Sequence, residues 1–249
     1  MKNKLQLKSV GSGDAFASKG LFQSCHLLKY NDLTIMLDCG ATTLNALDHY
    51  DESTLDIDYI FISHFHGDHI TGVPFLLLKS FYAHNRTKKL NIVGVKGLKE
   101  KLSHLMNVTY PGKPEKILDE DFLNVVEVEP FKTYETVEFS FQFYPVEHSE
   151  QVLPHGVKLM FNDNKVFTYT GDTNLCETIQ EVIKEVDFML TECSFNELDV
   201  VGHMNVDNIL TLQNQNPHCR LFLCHSSEKI HLMNKSITLL EQGRSYTLK

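Results

Sequence analysis

Four side chains able to bind a divalent cation stand within one short stretch, His64-Phe65-His66-Gly67-Asp68-His69. Imidazole and carboxylate donors this closely spaced are the pattern expected of a metal centre. A histidine-rich solvated loop is the bland alternative, and the density of donors argues against it. The preceding run, Tyr59-Ile60-Phe61-Ile62-Ser63, is apolar and β-branched and reads as a buried strand. The donors therefore fall where that strand ends, at a turn where they can converge. Three more donors occupy comparable places. His148 follows Phe141 to Glu147, Asp172 lies in Thr170-Gly171-Asp172-Thr173, and His225 follows Leu221 to Cys224. Singly, each would be read as a cap or a satisfied core residue. Behind the first cluster they read as the rest of one site, and imidazole with carboxylate but no thiolate suits zinc or manganese.

The elements that must position these residues can be traced by periodicity. Lys4 to Val10 alternates as a strand and runs into Gly11-Ser12-Gly13-Asp14, whose glycines suit a tight turn. Cys25 to Tyr30 and Leu33 to Asp38 flank Asn31-Asp32 as a hairpin, and a helix follows Cys39-Gly40 with Leu44 and Leu47 on one face. Val73 to Ala83 is predicted helical, Leu90 to Val95 a strand, and Leu98 to Met106 a helix. Val125 to Val128 and Val137 to Tyr144 are strands, and Val157 to Phe161 pairs with Val166 to Thr170 as a second hairpin. The remainder alternates: helix Glu177 to Val186, strand Phe188 to Thr191, helix Val206 to Gln215, strand Leu221 to Cys224, then a final helix. Both halves are strand-rich with interleaved helices, so a layered α/β sandwich is expected, as one domain over residues 1–249.

Composition narrows the partners. The chain has 249 residues with 42% hydrophobic and 22% charged, ordinary for a globular protein. No apolar run approaches the roughly 18 residues of a membrane span, and Met1-Lys2-Asn3-Lys4 opens no signal-peptide core. A cytoplasmic protein is expected, and six scattered cysteines without CxxC spacing read as small buried residues. Cys224, beside His225, has nothing that makes it a ligand. The formal charge is −9 and the densest basic run is Arg86-Thr87-Lys88-Lys89. A long nucleic acid would call for a basic footprint that this chain lacks, so a small anionic substrate fits better.

The order HxHxDH, single His, GD[TS], single His resembles the metallo-β-lactamase superfamily over nearly the whole chain. The resemblance implies an αββα sandwich with two metals at one edge of the sheets. His64, His66, His148 and Asp172 would hold one ion. Asp68, His69, Asp172 and His225 would hold the other, with Asp172 shared and a metal-bridging hydroxide as nucleophile.

Gly11-Ser12-Gly13-Asp14-Ala15 resembles the tRNase Z-like phosphodiesterase branch. So do Glu192 in Leu190-Thr191-Glu192-Cys193-Ser194-Phe195 and His203 in Gly202-His203-Met204. The resemblance implies a catalytic set of Asp68, Glu192 and His203, with His203 oriented by Glu192 to protonate the departing ribose oxygen. Only 24 residues follow His225, so the C-terminal substrate domain of glyoxalase II-like thioesterases is not expected. His148 and Asp172 are 24 positions apart, and the tRNA-gripping arm of bacterial tRNase Z, inserted in that interval, is replaced by a hairpin. The chain is thus similar to compact phosphodiesterases that open 3′,5′-cyclic mononucleotides, including anti-Pycsar phage enzymes that block cyclic-nucleotide immune signalling. A homodimer is implied by the same resemblance. The rival readings are a tRNase Z-like ribonuclease, a lactonase-like carboxylic ester hydrolase and a silent nucleotide-binding protein. Phe81, Tyr82 and Tyr110 read as core or dimer residues before base-stacking ones. Seven histidines, His26 and His155 among them, match no motif.

Overall fold

The computed structural model of the chain describes residues 4–112, 114–232 and 234–249. Its strands take the alternation the sequence carries, because successive side chains of an extended chain point to opposite faces. In β2 (Cys25–Tyr30), Leu28 and Tyr30 face the interior between two sheets, while Cys25 and Leu27 face helices. In β3 (Leu33–Leu37), Ile35 and Leu37 take the first side and Met36 the second. A strand apolar on both faces must be covered on both, and that requirement gives four layers.

Among the described residues each sheet has seven strands. The first runs β14 (Ser245–Leu248), β1 (Leu5–Gly11), β2, β3, β4 (Tyr59–Phe61), β5 (Leu90–Val95) and β6 (Leu123–Val128). The second runs β13 (Ile237–Leu239), β12 (Arg220–Cys224), β11 (Phe188–Glu192), β10 (Val166–Tyr169), β9 (His155–Phe161), β8 (Phe139–Pro145) and β7 (Thr133–Glu135). Helices α1 (Thr43–His49), α2 (Gly67–Ile70), α3 (Val73–Leu78), α4 (Leu98–Thr109) and α5 (Pro114–Leu118) belong to the first half, and α6 (Glu177–Val182) and α7 (Val206–Gln215) to the second. The αββα sandwich is therefore present. Between the sheets, Phe61 meets Phe141 edge-on at 5.0 Å between centroids, and Phe139 and Phe143 fill the space around it. Among the described residues no helix is long and apolar enough to cross a membrane.

Direction matters more than layer count. Strands β3 to β6 are parallel, and β1 runs the same way because two antiparallel pairings separate it from β3. In the second sheet β10 to β13 are parallel, and two antiparallel pairings give β8 the same direction. The C-terminal ends of β1, β3 and β4 thus share one edge of their sheet, as do those of β8, β10, β11 and β12 in theirs.

Most expected elements form within a residue or two. The helix expected from Val73 to Ala83 is α up to Leu78 and closes with a π-helical turn over Lys79–Ala83. The final helix expected after Cys224 does not form. The described residues there carry β13 and β14 instead. β13 pairs with β12, and β14 returns to pair with β1 as the edge of the first sheet, after a turn at Gly243 whose φ is +80°. Short β-branched segments beside open sheet edges are completed by ladder hydrogen bonds that a local helix would forgo.

One core residue has no counterpart in the pattern. His26 sits in β2 opposite Ser9, fully buried, and neither ring nitrogen has a hydrogen-bond partner among the described residues. Burial, reinforced by His69 and His225, pushes its imidazole down from the ordinary 6.5 to about 3. The unfolded chain accepts a proton on this ring below about 6.5, whereas the folded chain resists until about 3. Acid therefore favours unfolding across that window. His26→Leu should lose up to about 1.4 kcal/mol per pH unit less stability than the parent between pH 6 and pH 4. Denaturant titrations at stepped pH check this, and equal slopes would refute it.

Candidate metal centre

At the shared edge the strands run out into loops carrying ionisable side chains. β4 leads to His64, His66, Asp68 and His69, β8 to His148, β10 to Asp172 and β12 to His225. All seven meet. The donor atoms of His64, His66 and His148 lie within 4.8 Å of one another, and those of Asp68, His69, Asp172 and His225 form an adjoining group of four within the same distance. His66 Nδ1 stands 3.1 Å from His64 Nε2 and 3.0 Å from His148 Nε2, so three ring nitrogens face a common point. Oδ2 of Asp172 lies 3.3 Å from Nε2 of both His69 and His225 and 4.0 Å from Nε2 of His64. One oxygen of Asp172 thus stands between the two groups.

What aims these rings is a set of hydrogen bonds on their far sides. Asp38, just past β3 in a left-handed conformation (φ +59°), is fully buried. Its Oδ1 accepts from the Ser63 amide at 2.7 Å. Its Oδ2 accepts from Ser63 Oγ at 2.7 Å, Tyr169 Oη at 2.7 Å and His69 Nδ1 at 2.6 Å. A carboxylate only accepts, so Nδ1 of His69 carries a proton and, in the neutral ring that a cation would take, Nε2 keeps the lone pair. Ser63, having spent its proton on Asp38, accepts from His64 Nδ1 at 2.9 Å, which frees His64 Nε2 as well. His148 Nδ1 donates to the carbonyl of Gly202 at 2.8 Å, with the same outcome. Gly202 (φ +90°) could carry no side chain there, since a Cβ would lie 2.7 Å from His148 Nδ1.

The electrostatics call for a cation. Burial alone would raise the Asp68 carboxyl, yet His69 and His225 hold it well below the usual carboxylate range. Burial alone would lower His225, yet Asp172 and Asp68 push it up to about 9. His69, under the same opposition, is raised by Asp172, Asp68 and Asp38. The buried carboxylates draw protons onto rings whose free nitrogens point inward. Nε2 of His69 is buried without a hydrogen-bond partner among the described residues. Two divalent ions bound by imidazole and carboxylate would satisfy both demands, so the donor set fits the group expected from the sequence.

Glu192 and His203 lie beside the donors. Glu192 ends β11 completely buried, accepting from the Thr173 amide at 2.7 Å and from Ser194 Oγ at 2.6 Å. His203 Nδ1 donates to it at 3.0 Å. Burial opposes a charge on His203, but Glu192 outweighs it and raises the imidazole above its ordinary value. His203 is packed edge-on to His148 and flat against His225, at 4.9 and 5.8 Å between centroids. A cavity of about 240 Å³ opens over this edge, lined by His66, Asp68, His148, Asp172, His203 and His225 with Asp14, Phe16 and Phe195.

Sequence reasoning missed Asp38, Ser63 and Tyr169, which bind no metal but orient the residues that would. The end of the Leu33 to Asp38 strand was the available signal for Asp38. His155 opens β9, its Nδ1 donating to the carbonyl of Leu153 at 2.9 Å and its amide to the carbonyl of Ser63 at 3.0 Å. Phe81, Tyr82 and Tyr110 are not among the residues lining the cavity. Phe81 packs on Tyr82, and Tyr110 on Phe75. All six cysteines are buried and unpaired.

Comparison with known proteins gives a consistent picture. The family model described as Anti-Pycsar protein Apyc1 matches residues 5–246. Ribonuclease Z of Metallosphaera sedula is 26% identical over 259 aligned positions, covering 88% of this chain and 87% of that one. Among solved structures, the metallo-beta-lactamase fold protein YhfI from Bacillus subtilis superposes with a TM-score of 0.79 at 18% identity, covering 99% of this chain and 100% of that one. The short form of human tRNase Z gives 0.77 at 19% identity, covering 97% and 98%. The fold is shared with both structures.

Removing the carboxylate that aims His69 and His64 should loosen the centre without dismantling the ligands. Asp38→Ala is expected to weaken binding of the more loosely held ion by about 10- to 100-fold. Competition against a chromogenic chelator measures it, and parental affinity for both ions would show that Asp38 does not orient the site.

Proposed function

The chain belongs to the Anti-Pycsar protein Apyc1 family, whose model spans residues 5–246, and from that membership we propose that it is a metal-dependent phosphodiesterase that hydrolyses 3′,5′-cyclic mononucleotides. The observation that carries the reading is the joint placement, around one cavity, of two adjoining donor groups and a Glu192–His203 pair. Two divalent ions, zinc or manganese by donor type, would offset the phosphate charge there and lower the pKa of an attacking water.

The chain's own residues supply the rest. Asp68 and Asp172 bring anionic donors that hold dications in a buried place, and Asp172, standing between the groups, would serve both. His203, whose imidazole Glu192 raises above its ordinary value, lines the cavity and would give a proton to the departing ribose oxygen. Glu192 does not touch substrate in this scheme. Its place is to hold the ring of His203 and its charge.

Two features support a small substrate. The interval between His148 and Asp172 carries a 3₁₀ turn at Glu150–Val152 and the hairpin of β9 and β10, with no further element among the described residues. The formal charge of −9 also disfavours a long polyanion. Cyclic nucleotides used as immune signals are the substrates this reading assigns, in the cytoplasm. A homodimer is part of it, with exposed Phe75 and Tyr82 offering an aromatic surface away from the cavity. Likeness to ribonuclease Z favours RNA cleavage as the second reading.

Metal-loaded protein should open 3′,5′-cyclic mononucleotides in a screen that also contains pre-tRNA, cyclic dinucleotides and a lactone, and Asp68→Ala should abolish turnover. Turnover confined to pre-tRNA or to the lactone would sink the proposal. His203→Ala is expected to lower kcat on the cyclic nucleotide by about 10²- to 10⁴-fold. A phosphodiester whose nitrophenolate departs without a proton should lose much less. Equal losses on both substrates would remove His203 from the role of acid.

A further inference from the structure

Phe16 is 87% exposed, although nothing in the core needs a phenyl at this position. A lone exposed apolar residue is commonplace, but this one stands on the wall of the cavity that holds the donor groups. It is also held in place. The Ala17 amide donates to the carbonyl of Asp14 at 3.1 Å, closing a turn with Phe16 near its tip. The buried Asp14 carboxylate accepts from the amide and hydroxyl of Ser18 at 2.9 and 2.8 Å. Nε2 of Gln23 donates to the carbonyl of Ala15 at 2.9 Å. Four hydrogen bonds thus fix the backbone on both sides of a ring that faces open space. Phe195, the other aromatic residue lining the cavity, packs edge-on to His203 at 6.3 Å, beside the proton donor.

We propose that Phe16 is the platform on which the base of a bound nucleotide stacks while its phosphate lies over the two donor groups. The inference deepens the phosphodiesterase reading and rests on it for the phosphate. The floor of the cavity is polar and charged, suited to phosphate, whereas Phe16 offers only a π-face. A nucleobase is the part of a nucleotide that presents a matching flat face, and stacking needs no hydrogen-bonding edge. Both oxygens of the buried Asp14 carboxylate are turned to Ser18, so the Phe16 ring is the exposed group this part of the wall offers a base.

The test separates base from phosphate and does not depend on turnover. Calorimetry on the metal-loaded protein compares adenosine 5′-monophosphate with ribose 5-phosphate, which lacks the base. In the parent the nucleotide should bind about tenfold tighter. Phe16→Ala should bring the two ligands together by weakening the nucleotide alone, and Phe16→Trp should restore the gap. No gap in the parent, or an undiminished gap in Phe16→Ala, overturns the proposal. So does a Phe16→Ala protein that changes its state of association in light scattering while keeping the gap, since the ring then serves contact between copies. If cyclic nucleotides prove not to be hydrolysed and the Phe16-dependent gap persists, the substrate assignment falls and the base platform stands.

Discussion

A carboxylate taken out of water has to be matched by donors, because an unpaired buried charge costs far more than the hydrogen bonds it might make. Asp38 is matched by four, and their sources explain why so much depends on it. Ser63 supplies an amide and a hydroxyl from the loop after β4, His69 a ring nitrogen from α2, and Tyr169 a phenol from the end of β10 in the opposite sheet. One side chain ties the two halves of the sandwich at the rim where they meet. It also sets two protonation states, that of His69 directly and that of His64 through Ser63. His64 and His69 point their free nitrogens inward because this carboxylate accounts for their outer faces.

The rest follows from strand direction. With the relevant strands of each sheet running one way, every chain exit falls on the same rim, where backbone amides and carbonyls no longer have ladder partners. The loops there are free to carry chemistry, and crevices at the carboxyl ends of such strands are where α/β proteins bind ligands. The aromatic interior around Phe61, Phe139, Phe141 and Phe143 sets the spacing of the sheets. That spacing brings Asp172 within 3.3 Å of His69 although the two are 103 positions apart in the chain.

Legibility in the sequence tracked distance along the chain. His64, His66, Asp68 and His69 could be read from residue types alone because one turn gathers them. His148, Asp172 and His225 became readable only as strand-end residues behind that cluster, together with the family resemblance. The pairing of Glu192 with His203 came from resemblance, since eleven positions and a loop separate a buried strand end from a half-buried ring. Asp38 was placed at the end of its hairpin strand without a role. Its partners at Ser63, His69 and Tyr169 are scattered and share no spacing. The supposed last helix failed for a related reason: β14 exists because the edge of β1, some 240 positions away, is there to pair with it. Phe16 belongs to no motif, and only the cavity shows which wall it stands on.

The segment bearing His203 does two jobs through neighbouring atoms. The carbonyl of Gly202 holds the ring of His148, and the next residue is the proposed proton donor. A substitution there reaches both at once, so acid strength and ion affinity are pleiotropic traits of a single loop. Selection for a new leaving group cannot remodel that loop freely, because each backbone shift also disturbs a ligand. The turn leading to Phe16 meets a ligand through its backbone, where the carbonyl of Ser12 accepts from the His225 amide at 2.8 Å, but the exposed Phe16 ring itself carries no such burden. Change in what the cavity accepts therefore costs least at the Phe16 side chain, while the Gly202–His203 step tolerates little change in length or geometry.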